Sequence, residues 1–291
     1  VKFTAGKYLE AQETGVYGEG LNRARRMAAS TSRSWNDANR NFVPDCDLLN
    51  PNANLECGAM SDRNFGQATA STSIDPATVS GWGIRAYNWE YSAGVQRELV
   101  PRLSVDFGFF RRWYGNFTTT DNLSVEASDY SAFSVTAPAD SRLPNGGGQV
   151  ISNLLNLNPN KVGQVNNLLT FSCNYGDQSE SWAGVDLSVN ARLQSGVLLQ
   201  GGLSTGRTIT DNCEVIAKTP ELNPVGLPYC RQVTNFLTQY KFLGSYTIPR
   251  IDLQASATFQ SVPGQQIAAN FNAPNAAVQP PLGRPLSGRA S

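Results

Sequence analysis

The chain has 291 residues, 40% hydrophobic but only 16% charged, with basic and acidic residues balanced at 23 each and no histidine. Neutrality gives no electrostatic case for nucleic acid or anionic lipid as a partner of the whole chain. Without an imidazole, neither Ser-His-Asp nor Cys-His catalysis can be assembled, nor can most catalytic zinc sites, so no enzyme is expected. No run of about 18 apolar residues exists, which excludes a transmembrane helix but not a barrel, whose strands need only about 9 to 11 residues each. No charged and apolar leader opens the chain, which reads as a mature protein or a fragment.

The first element is an unpaired strand, Val1 to Leu9. A long polar loop, 10–80, follows, with Cys46 and Cys57 eleven positions apart. Inside it, Asp37, Asn39, Asn41, Asp45 and Asp47 place oxygen side chains at the alternating positions that open an EF-hand-like calcium loop. Arg40 interrupts the run, no glycine stands at position 6, and Leu48 replaces the closing glutamate. A polar loop of Asx turns pinned by a disulfide is the competing reading, so calcium is possible and no other cofactor is indicated.

Three hairpins of one design then alternate with loops: Trp82 to Phe117, Ser181 to Thr210 and Asn235 to Gln260. In the first, Trp89, Tyr91, Ala93, Val95 and Leu99 alternate with Glu90, Gln96 and Glu98, answered by Leu103, Val105, Phe107 and Phe109 around Asp106. In the second, Val185, Leu187, Val189 and Ala191 oppose Asp186, Ser188, Asn190 and Arg192. Its return strand keeps the period, except at Leu198. The third sets Phe236, Tyr240, Phe242, Tyr246 and Ile248, then Ile251, Leu253, Ala255, Ala257 and Phe259, against Asp252, Gln254, Ser256, Thr258 and Gln260. Period two over runs this long is a strand signal. The tight connections Val100-Pro101-Arg102, Gln194-Ser195-Gly196 and Pro249-Arg250 fall at one end, and the loops 10–80, 120–180 and 211–232 at the other.

Within those loops, Asn145-Gly146-Gly147-Gly148 lacks the lysine and helix of a phosphate loop and reads as a flexible tip. Cys213 and Cys230, seventeen apart, pair locally like Cys46 and Cys57, which places the loops in an oxidising compartment. Cys173 is left over. The tail, 268–291, with Pro280, Pro281 and Pro285, reads as another external loop.

Long alternating strands with short turns at one end and long loops at the other predict an all-β fold. We read it as part of an antiparallel up-and-down transmembrane β-barrel, about seven long strands of one domain spanning 1–291, with extracellular loops. On that reading Trp82, Trp89, Tyr91, Trp113 and Tyr114 form an aromatic girdle, or else a core cluster beneath the loops. Glu90, Asp106, Asp186, Asn190, Arg192 and Asp252 face the lumen as candidates for meeting a small solute. A soluble sandwich or solenoid is the alternative, though sandwich strands average about five or six residues.

Gly81 to Thr120, Ser134 to Leu143 (SVTAPADSRL), Leu203 to Val215 (LSTGRTITDNCEV) and Phe236 to Gln260 carry a resemblance to the barrel region of TonB-dependent receptor-like outer-membrane proteins. The likeness is to the Oar-like members with an N-terminal carboxypeptidase-regulatory-like domain, and runs from Gly6-Lys7-Tyr8-Leu9 to the tail. It implies the outer membrane of a Gram-negative-type bacterium, lipid as surroundings, and binding or uptake of a scarce solute, powered by the TonB system through a plug domain. No plug and no TonB-box-like segment is present, and the chain ends on Arg289-Ala290-Ser291 rather than an aromatic-terminated strand. Transporter barrels have about 22 strands, so an internal piece of a larger receptor is implied. A secreted, disulfide-containing β-rich binding or structural module is the other function in play.

Overall fold

A computed structural model describes residues 1–11, 28–67, 72–193, 196–224, 226–265 and 269–287. Gln194 and Ser195 of the second turn, Ala268 and the last four residues lie outside them. In chain order the strands are β1 (Lys2–Leu9), β2 (Thr72–Ile74), β3 (Tyr87–Val100), β4 (Leu103–Gly115), β5 (Thr118–Asn122), β6 (Tyr130–Thr136), β7 (Val150–Leu157), β8 (Asn167–Phe171), β9 (Ser179–Arg192) and β10 (Val197–Asp211). Helix α1 (Cys213–Lys218), β11 (Arg231–Val233), β12 (Gln239–Ile248), β13 (Leu253–Ser261) and helix α2 (Asn275–Leu282) complete them. No helix among the described residues is long and apolar enough to cross a membrane.

Seven strands form one antiparallel sheet in the order β1-β3-β4-β9-β10-β12-β13, with short β11 beside β10. This is the predicted mostly antiparallel β-fold; no ladder joins β1 to β13 among the described residues, so the sheet is an open wall. Leu103, Ala191, Leu199, Gly244 and Ala257 share one rung across β4, β9, β10, β12 and β13. Measured from that rung, β3 turns into β4 on it, at the Val100–Leu103 pair. The β9–β10 turn closes two residues lower, where Leu193 N–H donates to the Val197 carbonyl at 2.8 Å. The β12–β13 turn closes four residues lower, at the Ile248–Leu253 pair. The turns therefore descend by one residue per strand. With about 3.3 Å of rise per residue and about 4.8 Å between strands, that stagger slants the strands by roughly 35°.

The turns owe their geometry to residues that accept left-handed backbone. Pro101 fixes its own φ and Arg102 takes φ 72° in a two-residue turn, where its N–H donates to Glu98 Oε1 at 2.8 Å. The third turn differs from expectation. It spans Pro249 to Asp252, with Arg250 at φ 84° and Asp252 at φ 50°, so the return strand starts at Leu253 rather than Ile251. On the preceding strand Phe236 lies ahead of β12 rather than in it.

The hydrophobic core sits away from the wall. Among the described residues, Ala191 is the only buried hydrophobic residue that belongs to a long strand; Met60, Val125, Phe133, Val135, Leu154, Val215, Ile216 and Val278 all lie in the segments beyond the loop end. These segments build their own layer: a three-stranded sheet β2-β8-β5 and a hairpin β6-β7. The tail, expected as an irregular loop, forms α2 and lays Val278 against Phe133, Val135 and Leu154. Gly283 at φ 76° ends this helix, and Arg284 beyond it donates to Asn156 Oδ1 at 2.5 Å.

Candidate functional site

Alternation assigns each strand residue to one of two faces, and the ladders align those faces across all seven strands. One face carries Phe3, Val95, Val105, Phe107, Phe109, Leu187, Val189, Leu199, Phe242, Leu253 and Phe259. No helix or second sheet packs on it among the described residues, and Phe107 and Phe242 remain 44% and 50% exposed. A contiguous apolar surface this large marks contact with another apolar phase or partner.

Trp89, Tyr91 and Trp113 share this face at its loop end. The Tyr91 and Trp113 rings stack at 4.8 Å between centroids, and Trp89 lies 6.2 Å from Tyr91. The other two girdle candidates do not join them. Tyr114 occupies an alternate position of β4 on the opposite face, where its hydroxyl accepts from Arg112. Trp82 precedes β3 in a loop and is 99% exposed.

The polar face is the concave one, in that two hollows open on it. Glu90, Asp106, Asp186, Asn190 and Arg192 all lie on it, whereas Asp252 sits in the turn below. A hollow of about 610 Å³ opens among Asp106, Asp186, Ser188, Gln200, Lys241 and Gln260. A second, of about 320 Å³, joins it through Asp186 and Ser204 and runs to Glu90, Arg112 and Trp182. Cross-strand bonds organise the groove: Glu90 and Arg112, directly opposite, form an ion pair, and Ser204 Oγ donates to Asp186 at 2.5 Å. The Trp182 ring lies along the wall because its neighbours are glycines. A Cβ on either Gly184 or Gly206 would come within 2.6 Å of that ring. The groove can bind a polar solute through paired charges, hydroxyls, amides and the aromatic rings of Phe110 and Trp182.

Beyond the groove's loop end both predicted disulfides are formed, Cys46–Cys57 and Cys213–Cys230, with Cα atoms 5.9 and 4.8 Å apart. Cys173 is a free, exposed thiol. In the calcium-like run the oxygens serve the loop's own backbone. Asp37 accepts from the N–H groups of Asn41 and Phe42 at 3.1 and 3.0 Å, Asn41 from Val43 at 2.7 Å, and Asp47 from Leu49 at 2.9 Å. Asp45 accepts from the Asn39 and Asn41 side-chain amides at 2.5 and 2.8 Å. Arg40 and Phe42, at φ 62° and 61°, are held in left-handed conformation by these bonds.

One acidic cluster escaped the sequence reading because its members lie about a hundred residues apart. Glu221 Oε1 accepts from Asn122 N–H at 3.0 Å, and Tyr175 donates its hydroxyl to Asp121 at 2.5 Å. Burial raises the Glu221 carboxyl to about 7; the Asn122 N–H opposes that rise, and the hydrogen-bonded Asp121 adds to it. Burial likewise pushes the Tyr130 hydroxyl up, with Glu221, Asp129 and Asp121 adding to it. The cluster joins the segment after β4 to the segment after β10. No family model, curated protein or solved structure matches this chain.

Proposed function

We propose that the chain is a wall segment of an outer-membrane receptor or transporter, of the TonB-dependent kind its strings resemble, that binds a small solute at the cell surface and passes it inward. The observation that carries this reading is the pairing of an uncovered apolar face with a concave polar one on strands slanted by roughly 35°, the tilt of transmembrane barrels. Arg111 and Leu103 bound the apolar band on β4, eight residues apart. At the same slant that is about 22 Å of height, close to the roughly 25 Å apolar band of such barrels.

In this reading Glu90, Asp106, Asp186, Asn190 and Arg192 line the lumen, the disulfide-pinned layer faces outside, and the tight turns face the periplasm. Unpaired strand edges cost several kcal/mol per unsatisfied group in lipid, so the edges at β1 and β13 are paired there, by further strands or by a second copy of the chain. A plug domain couples the lumen to the TonB system. Calcium binding at Asp37 to Asp47 is a secondary proposal: it requires those oxygens to exchange their backbone partners for the ion, and chelation would then expose the chain around Trp35 to protease.

Refolding the full chain with and without detergent tests the main reading. A native-like sheet that needs micelles or lipid, with Trp89 and Trp113 emission quenched by brominated acyl chains, is the expected result. A compact, soluble monomer in plain buffer would replace the reading with a secreted binding or structural module.

A further inference from the structure

Net neutrality argues against an anionic partner for the chain as a whole, yet the register distributes charge unevenly between the two faces. The concave face mixes Glu90, Glu98, Asp106 and Asp186 with Arg112, Arg192 and Lys241. On the apolar face, from the turns up to Arg111 and Arg207, every charged strand residue is basic; the first carboxylate, Asp211, lies two rungs higher and is paired with Arg231 at 3.4 Å.

Three of those bases stand at the upper border of the apolar band. Arg111 and Arg207 occupy one rung, with Ala183 between them. Lys7 lies one rung higher on β1, facing Trp89, and Trp89 faces Trp113. In strand order the cations fall on β1, β4 and β10, every second strand, so neighbours are about 10 Å apart, roughly one phospholipid headgroup. The one-residue-per-strand stagger lifts Lys7 and Arg111 to the same height and leaves Arg207 about two residues above them.

All three side chains are exposed, and none has a carboxylate partner among the described residues. Two are held in place by rings instead: Lys7 Nζ stands 3.9 Å over the Tyr87 centroid, and the Arg207 guanidinium lies 5.0 Å from that of Phe236. The arrangement is therefore a spaced row of unneutralised cations directly above apolar side chains and level with stacked indole and phenol rings.

We propose that Lys7, Arg111 and Arg207 form a binding row for the phosphate groups of membrane lipid at the loop-side interface. Charge complementarity and position select that occupant: phosphates of a bilayer stand at this height whenever its acyl chains cover Phe107, Phe109 and Phe242. The proposal rests on the outer-membrane reading above, and its test separates the two. A cation near an anionic surface contributes about 1 kcal/mol, so each should favour anionic bilayers by about fivefold and the three together by on the order of 100-fold.

The full chain is partitioned into phosphatidylcholine vesicles and into the same vesicles doped with phosphatidylglycerol, at low and high salt. We expect preference for the doped vesicles, weakened by salt and lost in the Lys7→Gln, Arg111→Gln, Arg207→Gln triple variant, which still enters neutral vesicles. Lys2→Gln, on the other face of β1, retains the preference. Equal partitioning of the unmodified chain, or a triple variant that keeps the preference, overturns the phosphate row alone. Insertion into neither vesicle overturns the membrane reading as well. If inorganic phosphate alone binds the micelle-held chain through the same three residues with equal avidity, the lipid assignment is wrong and a soluble anion takes its place.

Discussion

Phe107→Arg is the substitution on which water and lipid give opposite forecasts. Phe107 lies on β4 midway between Arg111 and Leu103, four residues from each, on the uncovered face. At roughly 35° of slant each border is about 11 Å away, so the side chain stands near the middle of the apolar band. Arginine at the midplane of a barrel's lipid face costs about 2–4 kcal/mol, or roughly 30- to 900-fold in the folding equilibrium. On a water-exposed sheet the same change stays within about 0.5 kcal/mol. Ser188→Arg is the matched control, since Ser188 pairs with Asp106 on the concave face and should also stay within about 0.5 kcal/mol. Urea titration of folding into vesicles, followed by tryptophan emission, measures both. A Phe107→Arg penalty no larger than that of Ser188→Arg would refute the assignment of faces.

Three further outcomes concern the layer of loops. Cys46→Ser or Cys213→Ser should each remove about 3 kcal/mol of local stability, seen as new protease cuts within 37–57 or 213–230 while the far-ultraviolet signal of the wall is unchanged. Glu221 has a folded-state pKa of about 7, above its ordinary 4.5, so the folded protein binds the extra proton between those values. Its contribution is therefore complete below about 4.5, declines as pH rises to about 7 and is gone above it; near-ultraviolet melting of Tyr130 and Tyr175 should give a higher Tm at pH 5 than at pH 8, and Glu221→Gln should flatten the difference. Leu154→Ala, in the cluster with Phe133 and Val278, should cost about 2–5 kcal/mol and free α2 to proteolysis without moving Trp89 or Trp113 emission.

The wall was legible because each of its long strands states its pairing face locally: Val185 to Ala191 needs no knowledge of its neighbours to be read as period two. The loop layer was not, because its strands are short and pair across long gaps. Thr72–Ile74 runs parallel to Asn167–Leu169, some ninety residues on, and neither segment alternates for long enough to signal a strand. Helix α2 was hidden by Pro280 and Pro281, which argue against helix; it is held by the burial of Val278 and capped by Gly283. Among the site candidates, Glu90, Asp106, Asp186, Asn190 and Arg192 share a face by parity alone. Asp252 was misplaced because parity was carried past the turn, where Arg250 and Asp252 adopt positive φ.

Each hairpin lowers its turn by the same two residues as the one before, so the slant belongs to the repeating pair rather than to the wall as a whole. Gain or loss of one such pair through duplication or deletion would leave every surviving neighbour in its old alignment. The breadth of the sheet can thus drift over generations while the loops, anchored by cystines and a small interior of their own, change on an independent schedule.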